Sequence, residues 1–234
     1  MVNDSRIHII MPVKDSWSTA EESIRAIVAC GYALTVYDDN SSAETVEQME
    51  KLQKESGIDI IHISDYIDHP SPNYRWILID AQQKAIAESA HLVIVESDVK
   101  PTERTFATMC QSVNKGVGMV AAVTHDEEGR INFPYEYARR IKQDGVCKKR
   151  FSFCCTLLTL DLLKAYSFEQ LDPTKNWYDV TISHISQKLG FANILQVSNP
   201  VLHRPHSSRP WKQLKYTNPL LYYWRKITQR RDKI

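Results

Sequence analysis

The sequence lacks the features that mark several common classes of protein. No apolar run approaches the roughly 20 residues needed to cross a bilayer, and the amino-terminal MVNDSRIHII contains no apolar signal-peptide region. No CxxC pair or Cys/His cluster has the spacing of a structural zinc site, and the five cysteines do not suggest a disulfide framework. We therefore expect a cytoplasmic protein with reduced thiols.

Two phosphate-binding motifs are also missing. There is no GxGxxG and no GxxxxGK[ST], and the first predicted strand is followed by Lys14-Asp15 where a dinucleotide-binding protein would have glycines. A dinucleotide-binding Rossmann domain and a P-loop nucleotide-binding protein therefore have no support.

The formal net charge of +1 conceals an uneven distribution of charge along the chain. From Arg204 onward there are nine Lys or Arg residues and one acid, Asp232, so the first 203 residues keep 20 of the 29 basic and 27 of the 28 acidic side chains, a net of −7. Residues 209–234 interleave these basic residues with Trp, Tyr and Leu. This composition suits the surface of an anionic membrane or nucleic acid; a helix that packs its aromatics on the body is the alternative.

Apolar runs and helical patterns alternate along the first hundred residues. This alternation predicts a parallel sheet with crossover helices, an α/β domain, whose ligands bind at the carboxyl ends of the strands. Strands are predicted at 7–13, 33–37, 58–64 and 92–95, and helices at 19–30 with Ser18 as the N-cap, 43–56 and 76–90. Polar clusters at Pro12–Asp15, Asp38–Asp39 and Glu96–Asp98 fall at the carboxyl ends and predict a site there.

The stretch His91–Val99, HLVIVESDV, is the strongest local indication of a site. Glu96 and Asp98 follow a buried apolar run, and two residues at i and i+2 on a strand point the same way. Two like charges at a buried strand end need a cation, and a divalent metal that carries a phosphate ester fits this need. A strand end that simply faces solvent is the alternative.

Two residues further along the chain add to this site. Asp179 precedes Val180, Ile182, Ile185 and Leu189, which have helical spacing, so it falls at a helix amino terminus as a functional carboxylate or as an N-cap. His203 follows the last predicted strand, 192–197, as a metal ligand or as an ordinary surface histidine.

Five segments together resemble family 2 glycosyltransferases, nucleotide-sugar-dependent enzymes of the GT-A fold. The segments are IIMPVKDS, VYDDNSS, VIVESDV, WYDVTISHISQKLGF and VLHRPH, in the family's order, and the resemblance covers roughly residues 6–206. It implies a Rossmann-like, mostly parallel sheet flanked by helices. It also implies one catalytic domain, residues 1–206, with a nucleotide-binding half (1–115) and an acceptor half (116–206), followed by a basic arm (207–234).

The resemblance also implies roles for individual residues. Asp39 would accept a hydrogen bond from a uracil or guanine ring, Asp98 and His203 would bind Mn²⁺ or Mg²⁺, and Glu96 would contact the ribose or a metal-bound water. Asp179 would be the general base. The remaining predicted nucleotide-sugar contacts are Pro12, Val13, Asp38, Arg75 and Ser97, with Arg75, Lys148 or Arg204 meeting the pyrophosphate.

The predicted function is transfer of a sugar from a UDP- or GDP-sugar to an acceptor hydroxyl, with inversion, in polysaccharide or glycolipid assembly. The acceptor would be a saccharide or a lipid-linked saccharide. With this activity, residues 209–234 are expected to contact the inner face of an anionic membrane, and nucleic acid is not expected as a partner. The alternatives are a sugar nucleotidyltransferase and a catalytically degenerate nucleotide-sugar-binding protein, which is kept open by Glu96 and Tyr178 where the family usually has Asp and Glu.

Overall fold

The computed structural model describes residues 6–204 and 218–228 of the 234-residue chain. The strands are β1 (Ile7–Val13), β2 (Leu34–Asp38), β3 (Asp59–His62), β4 (His91–Val95), β5 (Val99–Lys100), β6 (Val117–His125), β7 (Gly145–Val146), β8 (Cys155–Leu158) and β9 (Ala192–His203). The α-helices are α1 (Trp17–Ala29), α2 (Ala43–Ser56), α3 (Tyr74–Ala87), α4 (Glu103–Gln111), α5 (Leu160–Ala165), α6 (Tyr178–Lys188) and α7 (Pro219–Thr228).

The nine strands within residues 6–204 form one sheet, in the order β3-β2-β1-β4-β8-β6-β9-β5, with β7 also paired to β9. β1 pairs in parallel with β2 and β4, β2 with β3, and β6 with β9. Three strands run the other way: β8 between β4 and β6, and β5 and β7 on β9. The predicted α/β fold with a mostly parallel core is confirmed.

Helices cover both faces of the sheet because its central strands are apolar on both sides. Along β4, Leu92 and Ile94 join one core cluster while Val93 and Val95 join the other, as the two-residue side-chain period of a strand requires. The first cluster includes residues of α3, α5 and α6, and the second includes residues of α1, α2 and α4. This arrangement leaves the strand ends open for a site.

The predicted Ser18 cap is wrong, and Asp179 lies at a helix amino terminus as predicted but without the N-cap alternative. Ser18 is not an N-cap: α1 begins at Trp17, after Ser16 in a left-handed conformation with φ 60°. Asp179 is not an N-cap either, because the cap position of α6 is Trp177 and Asp179 lies in the first helical turn. The predicted 43–56 helix is confirmed, with Ser42 as its N-cap and Gly57 ending it.

The last described helix belongs to the predicted basic arm. Most of the predicted arm lies outside the described residues, namely its boundary at residue 206 and residues 207–217 and 229–234. Along α7, Leu220, Tyr223, Trp224 and Ile227 are exposed, whereas Tyr222 is buried. Among the described residues, no helix combines the length and apolarity that a membrane crossing needs.

Candidate functional site

Asp98 and His203, 105 positions apart in the sequence, meet because β5 pairs with the end of β9. Val99 lies opposite His203 in the antiparallel register, and the Arg204 amide donates to the Asp98 carbonyl at 3.0 Å. His203 Nε2 is consequently 3.4 Å from Asp98 Oδ2, with both side chains largely buried. Burial opposes a positive charge on His203, but Asp98, Glu96 and the Phe133 carbonyl together raise its pKa above the usual value.

Glu96 lies beside this pair. The prediction that Glu96 and Asp98 follow each other on one extended strand is wrong. β4 ends at Val95, and Glu96–Val99 forms a turn in which the Val99 amide donates to the Glu96 carbonyl at 3.1 Å. Glu96 and Asp98 are therefore not two residues of one extended strand, and the turn brings them together instead. Burial, and then the negative charge of Asp98, raise the pKa of Glu96 to about 7.

Cys154 completes a compact group of possible metal ligands. The antiparallel β4–β8 pairing sets Cys155 opposite Val95, so that Cys154 comes next to Glu96 and its thiol donates to Glu96 Oε2 at 3.1 Å. Ligand atoms of Glu96, Cys154 and His203 all lie within 4.8 Å of one another. Burial, with the charges of Glu96 and Asp98, raises the pKa of the Cys154 thiol well above its usual value.

The donor set of Asp98 and His203 fits a divalent ion such as Mn²⁺. Their 3.4 Å separation is close to the spacing of about 3 Å between neighbouring ligands of an octahedral ion with bonds near 2.1 Å. His203 Nδ1 is 2.8 Å from the Phe133 carbonyl, which orients the ring and leaves Nε2 for a metal. Carboxylate and imidazole suit Mn²⁺, whereas a protonated thiol does not, so Cys154 is not part of this set.

Asp179 acts electrostatically on Glu96 and Tyr74, and its role as the general base stays a prediction. It lies in the first turn of α6, where Asp179 Oδ1 accepts from the Val180 amide at 2.8 Å. Its negative charge contributes to the raised pKa values of both Glu96 and Tyr74, so the three side chains share one electrostatic environment. A carboxylate near a metal-binding group, and separate from it, can act as a base on a bound hydroxyl.

Asp39 holds the loop that leads into α3. Its carboxylate accepts from Ser71 Oγ at 2.6 Å, from the Asn73 amide at 3.1 and 3.2 Å, and from Asn73 Nδ2 at 2.7 Å. Asp39 is buried, at the carboxyl end of β2 as predicted, and its contact with a nucleotide base stays a prediction. The bonds have a second effect, because they position Tyr74, the first residue of α3.

Several predicted substrate contacts have internal partners. Asp38 accepts from the Ser41 amide at 2.9 Å and lies 3.0 Å from His62 Nδ1. Val13 packs its side chain in a core cluster, while Pro12, its neighbour, is half-buried at the end of β1. Ser97 is buried in the turn after β4, where its carbonyl accepts from Ser23 Oγ at 3.2 Å.

The three basic side chains that were predicted to contact the pyrophosphate lie in different parts of the structure. The Arg75 guanidinium donates to the backbone carbonyls of Leu171 (2.8 Å) and Glu169. Arg204 forms ion pairs with Glu22 and Glu127 and ties α1 to the segment after β6. Lys148 is exposed, next to a segment whose Arg150 lies 5.5 Å from the ring centroid of Trp177. A phosphate contact of any of these residues stays a prediction.

Two residues of the site were missed by sequence reasoning, Cys154 and Tyr74. The Tyr74 hydroxyl is buried, and within residues 6–204 and 218–228 it has no hydrogen-bond partner. Burial and the charges of Glu96, Asp179 and Cys154 raise its pKa well above the usual value, so it is a neutral donor at working pH. No local pattern marks either residue, because one reaches the site through strand pairing and the other through the Asp39 loop.

Comparison with solved structures identifies the fold. The structure is similar to a mannosyltransferase from Pyrobaculum calidifontis in complex with GDP-Man and Mn²⁺ (TM-score 0.60, 16% identity, 95% of this chain and 64% of that one). It is also similar to GalNAc-T7 with UDP, GalNAc and Mn²⁺ (TM-score 0.64, 11% identity, 88% and 45% of the two chains). A third match is glucosyl-3-phosphoglycerate synthase from Mycobacterium tuberculosis with Mn²⁺, UDP and glucosyl-3-phosphoglycerate (TM-score 0.56, 15% identity, 90% and 75%).

The chain therefore has the GT-A fold, which confirms the fold predicted from the sequence. It spans less than two thirds of the mannosyltransferase and less than half of GalNAc-T7. No protein-family model matches the sequence, and no curated protein matches it. Membership of family 2 stays a prediction.

Proposed function

We propose that this protein is a glycosyltransferase that moves a sugar from a UDP- or GDP-sugar to an acceptor hydroxyl, with Mn²⁺ or Mg²⁺ and with inversion. The observation that carries the proposal is the approach of Asp98 and His203 to 3.4 Å beside Glu96, whose raised pKa also reflects the charge of Asp179. The similar structures named above hold UDP or a GDP-sugar together with Mn²⁺, which supports the same class of donor and metal here.

Asp98, His203 and Asp179 have separate roles in the proposed reaction. Asp98 and His203 would hold the metal, which supplies positive charge to the leaving diphosphate. Asp179 would take the proton of the acceptor hydroxyl as its oxygen bonds to the anomeric carbon and the bond from that carbon to the diphosphate oxygen breaks. Attack from the side opposite the leaving group inverts the anomeric configuration.

Asp179→Asn tests this proposal. The variant should keep its affinity for the nucleotide-sugar and lose turnover by about 10²–10⁴-fold, because only the proton acceptor is removed. A Mn²⁺-dependent thermal-shift screen of UDP- and GDP-sugars first identifies the donor, and release of the nucleoside diphosphate then measures turnover.

Asp161→Asn is the matched control, because Asp161 occupies the same second helical position of α5 and is exposed. Full turnover in Asp179→Asn would contradict the assigned role. Release of pyrophosphate would instead identify a nucleotidyltransferase, and donor binding with no turnover for any acceptor would identify a degenerate binding protein.

We also propose that the basic arm places the enzyme at the cytoplasmic face of an anionic membrane, where it would act in polysaccharide or glycolipid assembly. Leu220, Tyr223, Trp224 and Ile227 follow the i, i+3, i+4, i+7 spacing of one helix face and are 52–86% exposed. From Arg204 to the end there are nine basic residues and one acid. An apolar face with Trp and Tyr beside many cations suits the membrane interface.

A further inference from the structure

The thiol of Cys154 is the feature of the site that the proposed reaction does not use. Mn²⁺ and Mg²⁺ prefer oxygen ligands and imidazole, so a cysteine brings nothing to a site for these ions. Yet Cys154 Sγ lies 3.1 Å from Glu96 Oε2, and ligand atoms of Glu96, Cys154 and His203 are mutually within 4.8 Å. One thiol, one imidazole and one carboxylate are the three kinds of side chain that bind Zn²⁺.

We infer that Glu96, Cys154 and His203 form a Zn²⁺ site that overlaps the proposed Mn²⁺ site and excludes Mn²⁺ from it. The overlap follows from His203, which would be a ligand in both sets. Asp98 Oδ2, 3.4 Å from His203 Nε2, supplies the carboxylate from which a fourth Zn²⁺ ligand can come. Four protein ligands would leave no open position, which is the arrangement of structural zinc sites.

The spacing of the ligand atoms is compatible with one small ion. Bonds of about 2.3 Å to sulfur and about 2.0–2.2 Å to nitrogen and oxygen place the ligands of a tetrahedral ion about 3–4 Å apart. The observed 3.1 Å falls within this range, and the 4.8 Å limit exceeds it by less than about 1 Å. On binding, the Cys154 sulfur bonds to the ion and its proton leaves to solvent, together with any protons that Glu96 and His203 hold.

The site is also held in place from outside. The Phe133 carbonyl accepts from His203 Nδ1 at 2.8 Å, and the Glu96 amide donates to the Cys154 carbonyl at 2.9 Å across the β4–β8 pair. These bonds orient the ring and fix the relative positions of Glu96 and Cys154. If Zn²⁺ excludes Mn²⁺, it also inhibits the enzyme, and this inhibition rests on the proposed function. The binding of Zn²⁺ itself does not.

Cobalt spectroscopy tests the inference without reference to activity. Co²⁺ added to the metal-free, reduced protein should give a thiolate-to-cobalt charge-transfer band, which Zn²⁺ displaces. Cys154→Ser should abolish the band and weaken Zn²⁺ binding by about 10- to 100-fold or more, since a lost ligand costs at least as much as a lost outer-shell partner. Mn²⁺ affinity should stay within about twofold, because Cys154 is not in that set.

Cys155→Ser is the matched control, because Cys155 is the adjacent residue, equally buried, and not in the ligand group. In the wild type, Zn²⁺ should also raise the Mn²⁺ concentration needed for half-saturation. The inference is overturned if no thiolate band forms, if the band survives in Cys154→Ser, or if Zn²⁺ and Mn²⁺ bind independently. A protein that binds Zn²⁺ in this way but no nucleotide-sugar would overturn the proposed function alone.

Discussion

At the scale of single residues, Glu96 is a carboxyl group whose negative charge is opposed by its surroundings. Burial and the neighbouring Asp98 raise its pKa from 4.5 to about 7, so it holds a proton through much of the mildly acidic range. A carboxyl with a higher pKa in the folded protein than in the unfolded chain stabilises the fold at low pH. That contribution is present below about pH 4.5 and is lost as the pH rises through about 7.

Glu96→Gln should therefore make the metal-free protein more stable at pH 8 than the wild type, and equally stable near pH 4. At about 1.4 kcal/mol per pKa unit, the rise from 4.5 to about 7 makes the difference at pH 8 on the order of 3 kcal/mol. Urea unfolding at a series of pH values measures it. Glu47→Gln, an exposed site on α2, serves as the control and should show no such difference. If the free energy of unfolding changed with pH in the same way for the wild type and Glu96→Gln, the raised pKa of Glu96 would be contradicted.

The site residues differ in how well the sequence predicts them. Asp98 and His203 could be paired before the structure because each carries a recognisable motif, and the structure brings them to 3.4 Å. Cys154 and Tyr74 could not be found in this way. Their sequence neighbours have the patterns of an ordinary core strand and a helix start. Strand pairing brings Cys154 against Glu96, and the Asp39 loop positions Tyr74.

At the scale of elements, helices and central strands were predicted closely because their apolar periodicity is local. The β1 strand and the 43–56 helix have the predicted bounds. The antiparallel direction of β8 and the extension of β9 to His203 were not predicted. Strand direction depends on the path of the connecting segments, and an apolar run does not encode it.

A close approach of two elements depends on Gly118 in β6. A Cβ atom there would lie 2.2 Å from Ser186 Oγ and 2.7 Å from Phe191 Cβ, so only glycine lets β6 pack this near to α6 and the start of β9. Gly118→Ala should lower the free energy of unfolding by about 1–3 kcal/mol through overpacking, as measured by urea denaturation.

Gly145→Ala is the control for this effect, since a Cβ atom at Gly145 meets nothing within 4 Å. Its stability should stay within about 0.5 kcal/mol of the wild type. Equal stability of the two variants would show that β6 and α6 are less closely packed than described.

At the scale of the whole molecule, the positive charge of the basic arm, beside an acidic body, favours an anionic membrane as the partner. A Leu220→Gln, Trp224→Gln double variant should bind vesicles of phosphatidylcholine and phosphatidylserine about tenfold more weakly than the wild type. Removal of residues 225–234 should also weaken binding, because each basic residue adds about 1 kcal/mol near anionic lipid. Sedimentation with the vesicles measures both.

Val146→Gln with Leu189→Gln is the matched control, because both side chains are exposed and apolar but lie on the body. That variant should bind like the wild type, and added salt should weaken binding of all proteins that keep the basic residues. If removal of residues 225–234 left the fraction of protein bound to the vesicles unchanged, the membrane proposal would be contradicted.

The amino-acid sequence by itself determined the α/β class, most helices and central strands, and the order of the acidic motifs, because these depend on patterns within a few residues. Only the tertiary structure decided that Glu96 and Asp98 lie in a turn, that Cys154 lies against Glu96, and that Asp39 holds the Asn73 loop. The last two contacts join residues that are distant in the chain, so they arise from strand pairing and loop closure, which local patterns do not specify.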